Sequence, residues 1–212
     1  MGFETFEKQN KAKQDAIIAA GVEEFSQKSY TDARTDVIVQ NCGISKGLLF
    51  HYFGSKKEFY LYCLSRSLEK LMEKTELRHG DFYAILFSVM DEKLRQFARY
   101  PRETHFVNMA SRDMTAEITN GKSAIFKKYA AQTHAASTAV MEQAVAMLSL
   151  KSQDTDIAQE GILLYSNAVV RKYLLAYQNT PDAFFENAER IKTEIKEFID
   201  LMLYGIVKEE KT

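Results

Sequence analysis

At 212 residues, 46% of them apolar, the chain is long enough for one large domain or a small one joined to a larger. Its formal net charge of -1 excludes both an overall basic excess and an acidic disordered tail, so any nucleic-acid reading must rest on local charge. Cys42 and Cys63 stand apart, with no CxxC or Cys/His cluster, which argues against a structural zinc and for two thiols in a reducing compartment.

The opening MGFETFEKQNK has no basic segment followed by an apolar one, and Phe6 stands where a myristoylation signal requires Ser or Thr. No apolar run approaches the about 18 residues that a membrane span needs. The expectation is a cytoplasmic protein without a membrane segment.

Two prolines, nine glycines and apolar residues spaced by three and four predict an all-α chain. A first helix is expected over Lys8 to Gln27, with Ile18, Val22 and Phe25 on one stripe. After SYTD, a short helix follows over about Ala33 to Gln40, with Asp32 as its N-cap. Asn41-Cys42-Gly43-Ile44 makes a tight corner whose left-handed position suits Gly43. A second short helix spans about Ser45 to Tyr52 and ends at Gly54. Ser55 to Glu58 reads as a capping box that opens a helix from Lys56 to about Leu77.

Beyond Gly80-Asp81 a helix is expected over Phe82 to Arg99. Pro101 and SRDMTAEITNG bracket a shorter, less regular segment, and an alanine-rich helix runs from Ser123 to Leu150. KSQDTD separates it from two long helices, about Ile157 to Tyr177 and about Pro181 to Val207, the second opened by Thr180 with proline at its first position.

Two short helices joined by a glycine corner and preceded by a longer helix follow the plan of a helix-turn-helix DNA reader, here at about residues 34–53. On the second helix Leu49 and Phe53 are four apart and face the core, which leaves Lys46, Gly47, Phe50 and His51 on the other side. A glycine in a helix costs about 1 kcal/mol against alanine, and its use is to let the backbone approach a base edge or a phosphate. Lys46 supplies a donor to guanine and Leu48 a contact for a thymine methyl. His51, Tyr52, Lys56 and Arg34 are candidate phosphate contacts.

The run IIAAGVEEFSQKSY…VIVQNCGISKGLLFHYFGSKKEFY resembles the N-terminal domain of the TetR/AcrR family of bacterial transcription regulators over about residues 10–62. Phe25, Tyr30, Ile38, Gly43, Ile44, Ser45, Lys46, Gly47, Leu49, Phe53, Lys56 and Glu58 carry the resemblance. Departures are Phe50 where the family has tyrosine, Ser29 for a glycine, Ala33-Arg34 for Thr-Ser and Val39 for alanine. Phe50 loses a phenolic hydroxyl and is left between core packing and DNA.

The resemblance implies a DNA-binding domain at 1–58 and a helical effector-binding and dimerisation domain at 59–212. The implied protein is a ligand-responsive repressor, binding a palindromic operator in double-stranded DNA as a homodimer through its last two helices. The apolar stripes Leu163, Leu164, Val170, Leu174 and Ile191, Ile195, Phe198, Leu201, Met202 suit that interface. His105, Asn108, Arg112, His134 and Tyr173, polar among aromatic and methionine residues, are candidate effector contacts for a small molecule of unread class.

No metal, cofactor or catalytic residue is implied. A di-metal bundle needs a Glu-x-x-His on each of two helices, and Glu76 to His79 is a single instance. No GxxxxGK[ST] or HExxH occurs. A protein-binding helical adaptor without DNA affinity remains the alternative, and it leaves the Ser45 to Tyr52 face without a reason.

Overall fold

The computed structural model describes residues 2–72, 79–148, 155–177 and 180–205, and every element among them is a helix. In chain order these are α1 (Gly2–Glu7), α2 (Lys11–Gln27), α3 (Thr35–Cys42), α4 (Lys46–Phe53), α5 (Lys56–Leu71), α6 (Phe82–Arg99), α7 (Pro101–Arg112), α8 (Ala116–Val145), α9 (Thr155–Ala176), α10 (Pro181–Glu186) and α11 (Ala188–Tyr204).

Packing divides the chain into two compact units. The first comprises residues 1–74 and 95–133, the second 75–94 and 134–212. The functional boundary expected at residue 58 thus runs through the first unit. Its core joins Ile17, Val22 and Phe25 of α2 to Ile38, Leu49, Phe53, Phe59, Tyr60 and Leu64, and also to Phe106, Ala110 and Ile118 from α7 and α8. The second core joins Phe82 and Ile85 of α6 to Val140, Met141 and Ala144 of α8, Ile162 and Val169 of α9, and Ile191, Ile195 and Ile199 of α11.

Local chemistry explains most boundaries. Gly43 ends α3 at φ 69°, which an L side chain rarely adopts, and turns the chain directly into α4. Ser45 caps α4 by accepting from Leu48 N–H at 3.1 Å, and Ser55 caps α5 by accepting from Glu58 N–H at 3.1 Å. The reciprocal half of the expected capping box does not form, because the Ser55 N–H donates to Phe53 O at 2.9 Å.

Several expectations need correcting. The first helix is split at Asn10, whose side chain accepts from Lys13 N–H at 2.8 Å and so starts α2 anew. Arg34, not Asp32, holds the N-cap position of α3, since Asp32 is engaged by the Ser29 hydroxyl at 2.6 Å. The segment after Pro101 is a regular helix, and α8 begins at Ala116 and runs through Gly121, where a Cβ would meet Leu61 Cδ1 of α5 at 2.4 Å. That glycine is a packing notch, not a break. The last helix is two, parted at Asn187. The expected ends at Leu77, Leu150 and Val207 lie outside the described residues.

Candidate nucleic-acid interface

The eight residues of α4 divide cleanly by face. Leu49, Tyr52 and Phe53 are buried, while Lys46, Gly47 and His51 are exposed. Phe50 is half-exposed and belongs to neither core, which puts it on the open side with those three. A Cβ added to Gly47 would find nothing nearer than Ser45 Oγ at 4.0 Å, so the space in front of its backbone is empty.

Charge on this face is partly spoken for. Lys46 Nζ donates to both carboxylate oxygens of Asp36 on α3, at 3.0 and 3.2 Å, in a pair of which both members are about half exposed. Such a bridge contributes roughly 0–1 kcal/mol and opens readily for a better anion. Arg34 is exposed; its amide donates to Glu24 Oε1 at 2.9 Å, and its guanidinium has no partner among the described residues.

Lys56 is drawn back from the surface. Its Nζ lies 4.8 Å over the Tyr30 ring and 3.3 Å from Thr31 O. Burial lowers its pKa, and the charges of Glu117, Asp32 and Glu24 oppose that only in part. Tyr30 in turn donates its hydroxyl to Glu117 Oε1 at 2.6 Å and its amide to Asp113 Oδ2 at 2.9 Å, tying the α2–α3 corner to the α7–α8 corner.

Two candidate contacts sit elsewhere than expected. Tyr52 is interior: its ring packs 5.5 Å from Phe6 of α1, and its hydroxyl accepts from Lys13 Nζ at 3.2 Å. The reason is the added helix α1, whose Phe6 and Phe3 close over Tyr52, Phe53 and Tyr62. Leu48 is half-buried against the first core rather than free for a thymine methyl. Sequence reasoning missed Phe6, Lys13 and Asp36; the FETF spacing followed by Asn10 is the signal that would have shown α1.

The five candidate effector residues are divided between the two units. His105, Asn108 and Arg112 lie on α7 in the first unit, His134 and Tyr173 in the second. His105, Arg112 and His134 are exposed, because Thr104, Phe106 and Ala110 take the core face of α7. Tyr173 is buried and donates its hydroxyl to Glu194 Oε2 at 2.8 Å, which marks a satisfied core tyrosine. Met114, a methionine near them in sequence, is exposed. Glu76 of the Glu-x-x-His motif lies outside the described residues. Cys42 and Cys63 are free thiols, the latter pushed up in pKa by complete burial. No described helix is long and apolar enough to cross a membrane.

Residues 17–63 match the family model for bacterial regulatory proteins of the tetR family. Over 100 residues the chain is 29% identical to the HTH-type transcriptional regulator RutR of Escherichia coli K12, and equally to that of Shigella flexneri. The match spans 46% of this chain and 47% of the relative, about half the length of each. Among solved structures, a TetR family regulator from Chloroflexus aurantiacus J-10-fl is similar at TM-score 0.52 and 21% identity, covering 93% of this chain and 94% of its own. A tetR family regulator described as putative, from Shewanella sp. PV-4, is similar at TM-score 0.55 and 14% identity over 88% and 95%. At these identities the likeness is one of fold.

Proposed function

We propose that this chain, which belongs through residues 17–63 to the TetR family of bacterial regulatory proteins, is a ligand-responsive repressor that binds a palindromic operator as a homodimer. Gly47 is the observation that carries the DNA reading. It is a helical, exposed glycine facing empty space, where alanine would fit and would stabilise the helix by about 0.5–1 kcal/mol. Nothing among the described residues requires the missing Cβ, and a base edge approaching the backbone does. Lys46, Phe50 and His51 surround it; Arg34, Ser45 and Lys56 border it on the phosphate side.

The dimer reading rests on α9 and α11. Leu164 is 62% exposed, Leu201 49% and Met202 37%, on helices whose other faces fill the second core. The same pair of helices from a second copy would cover them as a four-helix interface. Two reading heads about 34–36 Å apart then match two half-sites one helical turn apart. A small effector held by residues 59–212 would favour a dimer with wrongly spaced heads; no single residue is assigned to it. The soluble, cytoplasmic setting follows from the same role.

Titration against duplex DNA from upstream of the chain's own gene, at two salt concentrations, tests the reading. Saturable binding that weakens with salt is expected, with loss of specific binding in Lys46→Glu and Gly47→Leu at unchanged helicity. The milder Gly47→Ala should raise thermal stability while weakening the operator complex. Undiminished operator affinity in Gly47→Leu would overturn the placement of the reading face.

A further inference from the structure

We propose that the DNA-contacting surface extends beyond the helix pair to Lys13, in the first turn of α2, where it holds a backbone phosphate, and that Tyr52 is the residue that positions it. The inference rests on the DNA reading above. Lys13 Nζ donates to Tyr52 Oη and to Gln9 Oε1, each at 3.2 Å, and lies 5.7 Å from the centre of the Tyr52 ring. Both acceptors are neutral. Among the described residues no carboxylate comes within ion-pair distance of Lys13, whereas neighbouring Lys11 pairs with Asp15 at 3.0 Å and Lys46 with Asp36 at 3.0 Å.

An ammonium has three N–H donors and no acceptor, so two bonds to neutral oxygens fix Lys13 in place yet leave one donor and the whole charge unspent. Its location adds to the demand for an anion. The first turn of a helix carries unmatched N–H groups that repel a cation, and α2 has no acid in that turn. These contacts hold the lysine but leave its charge without an anion among the described residues, and a phosphate satisfies both that charge and the helix end.

Tyr52 supplies the register. Its ring is buried in the first core, 5.5 Å from Phe6, so its hydroxyl is a fixed acceptor at the end of α4. His51, exposed, stands 5.9 Å from it ring to ring. A phosphate gripped by Lys13 is thereby set at a fixed distance from the helix that enters the groove. This turns the buried tyrosine from a direct contact into an indirect one.

The test uses the full chain and two labelled duplexes of equal length, one from upstream of its own gene and one unrelated. Lys13→Gln should weaken both complexes and flatten the slope of log affinity against log salt by about 0.9, one phosphate contact. Lys13→Arg should keep the wild-type slope, and Tyr52→Phe should keep the slope but weaken the complex with the upstream duplex. Half-buried Lys13 makes these variants foldable, and circular dichroism checks them. A Lys13→Gln slope equal to wild type overturns the inference while leaving the DNA reading intact; absence of saturable binding by wild type overturns both.

Discussion

At the level of single residues, the candidate interface is shaped as much by partners as by the donors themselves. Asp36 sits ten residues before Lys46 and neutralises it. Asp36→Asn should leave thermal stability within about 0.5 kcal/mol, since an exposed pair contributes little, and should tighten DNA binding at low salt. The gain should fade as salt rises, which anisotropy titrations at two ionic strengths would read. Asp113 is the opposite kind of acid. Burial works against its charge, but hydrogen bonds with Thr115 and from the Tyr30 amide, backed by Lys122, outweigh burial and hold its carboxyl below the ordinary range. With the folded pKa below the unfolded one, its contribution is present above the unfolded value and is lost as pH falls through the folded one. Asp113→Asn should therefore melt lower than the parent at neutral pH, and the gap should narrow as pH falls below the ordinary aspartate range. None of these pairings is legible in sequence, because the partners of Lys46, Tyr30 and Lys56 come from helices and loops remote in the chain.

At the level of elements, periodicity and caps located the helices of the helix-turn-helix segment. The Ser45 and Ser55 caps, the Gly43 corner and the inward pair Leu49 and Phe53 all stand where their residue types require. What escaped was α1, six residues too few to show a period, and the start of α8, hidden by an Asn-Gly pair that reads as a turn. Local propensity lost there to packing: Gly121 is the notch that admits Leu61. Phe6, fully buried among Tyr52, Phe53 and Tyr62, fastens α1 to the end of α4. Truncating a buried phenylalanine costs about 3–5 kcal/mol. Phe6→Ala should accordingly lower the urea midpoint of the first unit sharply, and a smaller loss than about 1 kcal/mol would mean that α1 is only loosely attached.

At the level of the whole molecule, the reading domain is not packed as a free-standing head. Its core is continuous with α7 and the start of α8, through Phe106, Ala110 and Ile118, and the Tyr30 bonds to Glu117 and Asp113 reinforce the same junction. Within the first unit, α7 and the start of α8 thus share a core with α3 and α4. In the second unit the exposed Leu164, Leu201 and Met202 remain to be covered. Leu201→Glu should shift the chain to monomer in analytical ultracentrifugation and weaken operator binding, because each reading head then binds one half-site alone. An unchanged sedimentation coefficient, together with dimeric wild type, would move the interface off α11.

By itself the sequence determined the helical class, the order of the principal helices and the helix-turn-helix segment that the family model matches, because periodicity, caps and a helical glycine are properties of neighbouring residues. Tertiary structure alone decided which side chains of that segment are free. Tyr52 turned inward under Phe6, Lys46 was paired, Phe50 was left on the open face and Lys13 was brought to the end of the reading helix. These outcomes depend on contacts between helices remote in sequence, and local spacing carries no record of them.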